Sequence, residues 1–458
     1  MAQLIATDNQ IAVIGLGKSG FSVARFLVAK GVSFDVFDSR AEPAGKAAFC
    51  QQYPDIAVYC GELSADKLST YPRLVVSPGI ALDEPALVEA AAKGCALMGD
   101  ISLFCQYVDA PVVAITGSNA KSTVTTWLGD MAERDNKRVA IGGNLGTPAL
   151  DLLLDWPDAE LYVLELSSFQ LERTEVLAAD VATILNVSED HLDRYSGMLA
   201  YQQSKQRVYR RAKWAVYNRG DRLTTPLVSQ TMKTVSFGLS KPDLNDFGLV
   251  AFEGREYIAK GLNRLLSTDQ IRLKGGHNIE NAMATMALAD CAGIALPAMI
   301  DSLQHFNGLR HRCQLIADHN GIRYYNDSKG TNVGATIAAI NGLTEDERRE
   351  IILIAGGVGK GADFIDLAAL IDQKVKSVVL IGESGPKIAA LLADEIQCEN
   401  ADSMIAAVTK AQAMAQPGDK ILLSPACASF DMFNSFEHRG DVFEASVLDL
   451  IGAADGII

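Results

Sequence analysis

Three times along this chain an apolar run of strand length ends in a glycine-bearing turn and gives way to a helical pattern. The first instance is QIAVIGLGKSGFSVARFLVAKG, followed by SFDVFDSR, LVVSPGI and a short ALMGD. The second begins at PVVAITG and runs through ELYVLELSSF and VATILNVSEDH to a helix around NIENAMATMALADCAG, closing near residue 308. The third contains GIRYYNDSK, EIILIAGGVGKGADF, SVVLIGES and DKILLSPACAS, with helical stretches between them. Strands that alternate with helices pair in parallel, because each crossover helix returns the chain to the same end of the sheet. The fold class is therefore α/β, and 458 residues suffice for about three such domains. DISLFCQYVDAP ends in a polar turn, with Pro111 ahead of the next strand, and this places a boundary near residues 99–110.

Charge narrows the function. The formal net charge is −15 and there is no block of five or more basic residues. That disfavours a nucleic-acid or anionic-membrane partner and leaves room for a local basic pocket. The start, MAQLIATDNQ, lacks the basic region and long apolar run of a signal peptide, and runs such as IILIA are too short to span a bilayer. Eight scattered cysteines without a C-x-x-C pair read as reduced thiols, so a cytoplasmic protein is expected. The six histidines show no zinc spacing such as H-E-x-x-H.

GLGKSG, residues 15–20, is a full G-x-G-x-x-G between a strand and a helix, and Asp38 lies about 20 residues on. Gly15 and Gly17 permit the tight turn and let backbone N–H groups approach a phosphate at the helix N-terminus. A NAD-dependent dehydrogenase is one reading, glycine used for close packing another, and a UDP-linked ligand a third. The turn recognises a phosphate, not a hydride donor. Lys18 inside it and Ser39-Arg40 after Asp38 add anion-binding capacity, and Arg40 weakens a plain NAD-ribose reading.

ITGSNAKSTV, residues 115–124, has the order of a phosphate-binding loop: strand, small-residue turn, Lys121, the hydroxyl of Ser122, helix. It departs from the consensus at Ala120 and Ile115, where glycines are usual. A non-glycine residue at φ > 0 costs about 1–2 kcal/mol, and nothing if φ stays negative. Lys121 can reach β- and γ-phosphates and Ser122 can ligate Mg²⁺; the alternative is an ordinary turn with a solvated lysine. In LYVLELSSFQLE, Glu165 ends a strand, where a carboxylate faces the ligand crevice and suits Mg²⁺, although alone it reads as a surface residue. TILNVSEDHLDRY repeats the pattern with Asp190 and His191. Alone, His191 is a cap or packing histidine; beside a phosphate loop and Glu165 it becomes a candidate for a second metal. YQQSKQRVY, residues 201–209, reads as an exposed helix face in which Lys205 carries no signal. GGHNIENA sets Asn278 and Asn281 three apart at a helix start, able to bind a base or to cap the helix. NDSKGTN, GGVGKGADF and SPACASFDMFNSFEHRG are loop-like ends of strands that are able to face one crevice.

In this order the motifs resemble the Mur ligases, ATP-dependent amide-forming enzymes of peptidoglycan precursor synthesis. GLGKSG, SPGIAL, GDISLFC, ITGSNAKSTVTT, GGNLGTPAL, YVLELSSFQLE, TILNVSEDHLDRY, GGHNIENA, NDSKGTN, LLSPACASFDMF and FEHRG carry the resemblance over essentially the whole chain, and Ala120 departs from it. The likeness is nearest to the branch that adds D-glutamate to UDP-N-acetylmuramoyl-L-alanine through an acyl phosphate. Sisters that add L-alanine or L-glutamate, and the folylpolyglutamate synthetases, share the central domain. The D-N-P-R of the diaminopimelate- or lysine-adding sister is absent. A dehydrogenase and a non-catalytic nucleotide-binding protein stand as readings from other classes.

The resemblance implies a Rossmann-like domain for the UDP-linked substrate over residues 1–99 and a central P-loop ATPase-type domain over 100–308. It implies a Rossmann-like domain that closes over ATP and binds glutamate over 309–458. GLGKSG then serves the uridine diphosphate and not NAD. Lys18, Ser19, Asp38, Ser39, Arg40, Ser77, Pro78 and Gly79 would hold that substrate, with Asn144 and His191 near its acyl end. Gly117, Ser118, Asn119, Ala120, Lys121, Ser122 and Thr123 would form the ATP loop. Ser122 and Glu165 would take one Mg²⁺, and His191 and Lys205 a second, Lys205 as a carbamate formed with CO₂. Lys121, Glu165, His191 and Lys205 would be the catalytic set. Asn278, Asn281, Arg312 and Asp327 would contact the nucleotide, and Thr331, Lys360, Ser429 and Phe436 the incoming glutamate. The implied partners are the UDP-linked substrate, D-glutamate and ATP, with no nucleic acid and no membrane, and the chain is expected to be a monomer.

Overall fold

The computed structural model describes residues 11–191, 194–227, 231–344 and 348–454. Each sequence block becomes one sheet. The first contains β1 (Ile11–Ile14), β2 (Phe34–Asp38), β3 (Val58–Cys60), β4 (Arg73–Val76) and β5 (Ala96–Met98), ordered β3-β2-β1-β4-β5 and parallel throughout. The second contains β6 (Val112–Thr116), β7 (Val139–Gly143), β8 (Leu161–Glu165), β9 (Val181–Ile184), β10 (Trp214–Asn218) and β11 (Lys233–Phe237), continued by β12 (Phe247–Phe252), β13 (Arg255–Lys260) and β14 (Asn263–Ser267). Its order is β14-β13-β12-β11-β10-β9-β6-β8-β7, with the β12–β14 end antiparallel. The third contains β15 (Gln314–His319), β16 (Ile322–Asn326), β17 (Ile351–Gly356), β18 (Val375–Ile381), β19 (Gln397–Asn400) and β20 (Lys420–Leu423), ordered β15-β16-β20-β17-β18-β19.

The central strands are apolar on both faces because helices cover both. All of β1, β6 and β8 is buried. In the third sheet the two faces alternate residue by residue. Leu353 and Ala355 of β17 pack with Leu422 on one side, while Ile352 and Ile354 pack with Ile421 and Leu423 on the other.

The antiparallel end of the second sheet is absent from the alternation read in the sequence. Its first hairpin turns on Glu253 and Gly254, both at positive φ (49° and 77°), as a type I′ turn requires. Glutamate is an unusual residue there, which is why the turn leaves little trace in sequence. A second expectation is overturned. The helix Met198–Gln206 does not expose the face containing Lys205: Tyr201, Ser204 and Lys205 are all buried.

The chain forms two compact units. One is built on the first two sheets. The other is built on the third sheet and takes in the segments Ser188–Met198 and Ile271–Asn281. Within the first unit, Arg25 of the helix Lys18–Ala29 pairs with Asp151 of the helix Ala149–Asp155 at 3.1 Å and also with Asp155. In the first sheet the chain winds outward from β1 to β3 and then resumes on the other side at β4. The crevice at the carboxyl ends of β1 and β4 is therefore the position for a ligand. Among the described residues no helix is long and apolar enough to cross a membrane.

Candidate functional site

At that crevice the glycines of GLGKSG have separate reasons. A Cβ on Gly15 would lie 2.8 Å from Ser77 Oγ, and one on Gly20 would lie 1.8 Å from the Gly15 carbonyl oxygen. Around Gly17 a Cβ would meet nothing within 4 Å, so this backbone is open to a ligand. Asp38 is fully engaged. One oxygen accepts from the Leu16 N–H at 2.7 Å and from an Arg40 terminal nitrogen at 2.7 Å; the other accepts from the Arg40 N–H at 2.9 Å and Arg40 Nε at 2.8 Å. Burial raises this carboxyl's pKa, but the Arg40 and Leu16 hydrogen bonds outweigh it and hold the value down to about 2. A carboxylate saturated in this way has no acceptor left for a ribose hydroxyl, which removes the support Asp38 gave to a dehydrogenase. It instead fixes Arg40.

The cavity here has a volume of about 540 Å³. Lys18, Ser19, Asp38, Ser39, Arg40, Ser77, Pro78, Gly79 and Asn144 all line it. Ser167, Phe169 and Gln170, which sequence reasoning did not single out, line it too. Lys18 donates to the Gly146 carbonyl.

Next along the second sheet, the loop from Gly117 to Lys121 joins β6 to the helix Lys121–Arg134. Ala120 sits at φ 63°, ψ −4°, the left-handed region, so the strain of about 1–2 kcal/mol is present. The loop is tied down by Asn186, whose carbonyl accepts from the Ser118 N–H at 3.0 Å and whose Oδ1 accepts from the Asn119 N–H at 2.8 Å. Lys121 Nζ folds back to the carbonyls of Gly117 (2.8 Å) and Ser118 (2.9 Å). Lys205, 1% exposed, reaches the same Gly117 carbonyl at 2.9 Å and lies over the Tyr201 ring at 4.5 Å. Ser122 and Thr123 are buried in the first helical turn.

Glu165 is the register partner of Ile115 in the neighbouring strand, so its carboxylate emerges beside the loop. It is 3% exposed and accepts from Asn144 Nδ2 at 2.7 Å. The donor set here consists of hard oxygens, Ser122 and Glu165. Among the described residues no group of three or more His, Cys, Asp or Glu converges. That composition fits Mg²⁺ on a nucleotide, which takes one or two protein oxygens and completes its shell with phosphate and water. It does not fit a metal held wholly by protein.

The remaining candidates belong to the second unit. Asp190, His191, Thr331 and Lys360 line a cleft of about 10 Å³, room for about one water molecule. Lys360 Nζ lies 3.3 Å from Asp190 Oδ1, and Asn332 Nδ2 donates to Asp190 Oδ2 at 3.4 Å. His191 Nε2 is 3.6 Å from the same carboxylate. Three non-glycine residues of this lining, His191, Lys360 and Ala426, have positive φ (57°, 49° and 60°), a concentration of backbone strain of the kind found at working sites. Ser429 and Phe436 do not line the cleft. Ser429 is buried with its carbonyl accepting from Phe433 N–H at 2.8 Å. Phe436 opens the helix Phe436–Ala454 with Lys329 Nζ 3.7 Å above its ring.

Asn278 and Asn281 share one face at the start of the helix Gly276–Cys291, linked side chain to side chain at 3.4 Å. Asp327 is buried and accepts from Ser424 Oγ at 2.7 Å and from the Cys313 N–H at 3.2 Å. Burial lifts its carboxyl to about 6 against the Ser424 hydrogen bond and the attraction of Arg312. In the sequence Asp190 is named only beside His191, and neither it nor Asn332 is given a role of its own. Adjacency to His191 was the available signal for Asp190; Asn332 had none beyond its place in NDSKGTN.

Comparison with known proteins places the whole chain. The family model for the Mur ligase MurD-like N-terminal domain matches residues 9–99, that for the Mur ligase middle domain residues 115–289, and that for the Mur ligase glutamate ligase domain residues 311–427. The chain is 51% identical over 444 residues to the UDP-N-acetylmuramoylalanine–D-glutamate ligase of Pseudomonas savastanoi pv. phaseolicola, covering 97% of this chain and 99% of that protein. It is 52% identical over 447 residues to the ligase of the same name from Pseudomonas fluorescens, covering 98% and 99%. Among solved structures, a Thermotoga maritima MurF ligase in complex with ADP has the same fold, with a TM-score of 0.63 at 16% identity, covering 97% of this chain and 96% of that one.

Proposed function

Because this chain belongs to the Mur ligase family, we propose that it joins D-glutamate to UDP-N-acetylmuramoyl-L-alanine with ATP, in peptidoglycan precursor synthesis. One observation carries the reading. A single cavity runs from the phosphate-binding turn of the first sheet to Asn144, which is bonded to Glu165 beside the loop of the second. A UDP-linked acid gripped at one end would present its carboxylate at the other.

A carboxylate is a poor electrophile, and transfer of the γ-phosphoryl group turns it into an acyl phosphate. The amine of D-glutamate then attacks the acyl carbon, and phosphate leaves from the tetrahedral intermediate. In this reading Lys18, Ser19, Ser39, Arg40 and the Ser77–Gly79 loop hold the uridine diphosphate, with Asp38 fixing Arg40. Lys121 leaves the carbonyls of Gly117 and Ser118 for the phosphates. Ser122 and Glu165 would hold one Mg²⁺, His191 and Lys205 a second, and the ions supply the charge neutralisation that lets two anions meet. The burial of Lys205 supports a carbamate. The ammonium loses one proton to free its lone pair, the nitrogen adds to CO₂ with loss of a second, and an enclosed cation is exchanged for anionic oxygen ligands.

Asn278, Asn281, Arg312 and Asp327 take the nucleotide; Thr331, Lys360, Ser429 and Phe436 take D-glutamate. A carboxylate of the amino acid would draw the Lys360 ammonium from Asp190. Residues 1–99, 100–308 and 309–458 are the corresponding domains, in a cytoplasmic monomer whose cysteines are all thiols.

The test is phosphate release from ATP and Mg²⁺ with UDP-N-acetylmuramoyl-L-alanine, adding D-glutamate, L-glutamate or L-alanine in separate reactions. Release that depends on D-glutamate is expected. Release with L-glutamate alone would overturn the stereochemistry, and release with none would overturn the reaction.

A further inference from the structure

Arg173 follows the short helix Ser168–Glu172, on the segment that leaves β8 after Glu165. It is 7% exposed. One terminal nitrogen of its guanidinium donates to the carbonyls of Ile80 (2.8 Å) and Ala81 (2.7 Å), in the loop that follows β4. Its own carbonyl accepts from the Gly99 N–H at 3.2 Å and from Ser102 Oγ at 2.9 Å. Arg173 thus holds the first sheet at two places from a foothold on the second.

That foothold is stiff. Ser167 and Gln170 cap the helix reciprocally: Ser167 Oγ accepts from the Gln170 N–H at 3.2 Å, and Gln170 Oε1 accepts from the Ser167 N–H at 3.1 Å. Gln170 also donates to the buried Asp100 at 3.3 Å. Ser167, Phe169 and Gln170 line the large cavity, and so do Ser77, Pro78, Gly79 and Ile80. Arg173 is not among the lining residues, but it ties the segment after Gln170 to the loop after Gly79.

We propose that Arg173 is a positioning residue for the UDP-linked substrate: by bridging the Ile80 and Ala81 carbonyls it holds the Ser77–Ala81 loop at the spacing the substrate needs. The proposal rests on the reading of this cavity as the UDP site. Ile80 is half-buried and Ala81 exposed, so without the guanidinium their carbonyls are free to turn toward water, and the loop must be ordered again on binding. The effect falls on substrate affinity, because the residue touches neither the reacting atoms nor the ATP loop.

The experiment uses the full chain with Arg173→Lys and Arg173→Ala. Lysine keeps the charge but lacks the planar, five-donor guanidinium. The expected result is a rise in KM for the UDP-linked substrate of about tenfold or more. KM for ATP and D-glutamate, and kcat at saturation, should stay within about twofold. Amide hydrogen exchange should quicken at residues 77–82 and stay unchanged in the helix Lys121–Arg134. Unchanged exchange in the loop with unchanged Michaelis constants would overturn the proposal. So would an equal rise of all three constants with a lowered Tm, which is what a merely structural residue gives. Wild-type protein that releases no phosphate would overturn the reading of the cavity instead, and the substrate claim with it.

Discussion

The ammonium groups of Lys121 and Lys205 converge on one oxygen, the Gly117 carbonyl, at 2.8 Å and 2.9 Å. In the proposed reading an entering phosphate draws Lys121 away from this carbonyl. Lys121→Ala should therefore lower D-glutamate-dependent phosphate release by about a hundredfold or more, with the fold retained by circular dichroism. Turnover near the wild-type rate would remove the ATP-loop assignment.

Lys205 is the second half of that pair. Lys205→Ala should be severely impaired and partly restored by added short-chain carboxylates such as acetate, which can replace the oxygens of a carbamate. Added chloride at equal ionic strength should restore nothing. Failure of acetate at every concentration tried would remove the carbamate and leave the buried lysine as a structural cation.

Ala120 is held at φ 63°. Glycine relieves that strain but loosens the unfolded chain, so Ala120→Gly should be neutral to about 1 kcal/mol stabilising. Ala120→Val places a branched side chain in the same conformation and should cost about 2 kcal/mol or more. Urea unfolding of the two variants checks the order; a valine variant as stable as wild type would contradict it.

Asp327 supplies a pH dependence with a definite sign. Burial raises its carboxyl from 3.8 to about 6 in the folded protein. Between those values the folded state binds more protons than the unfolded state, so stability falls as pH rises through this window. Below both values the group contributes nothing, and above both the whole penalty stays. Asp327→Asn should therefore gain on wild type as pH rises from about 4 to 7, by something on the order of 2 kcal/mol. Denaturant midpoints across that range that differ by a constant would contradict this.

What could be read in the sequence is what lies contiguous in it. The strand–turn–helix around Lys121 is legible because its parts follow one another in the chain, and the place of Glu165 because it ends its own strand. Lys205 was not legible, since its burial comes from a contact with Gly117 across 88 residues. Asn332 reaches Asp190 across 142 residues, and Arg173 reaches Ile80 across 93, with no local pattern to announce either. The β12–β13 hairpin was hidden for the opposite reason: its turn is local, but Glu253 stands where asparagine or glycine would have advertised it.

The crowding of Gly15 and Gly20 bears on how much a short motif can tell. Each would drive a methyl group to within 3 Å of its own protein, Gly15 against Ser77 and Gly20 against the Gly15 carbonyl. Those two letters are spelled by the scaffold and would stand whatever molecule the crevice serves. Gly17 alone faces outward, and it signals close approach without naming the visitor. A pattern that looks like a label for one cofactor is therefore mostly a message about its own folding, and naming the cargo falls to the rest of the crevice lining, drawn from residues as far apart as Asp38 and Asn144.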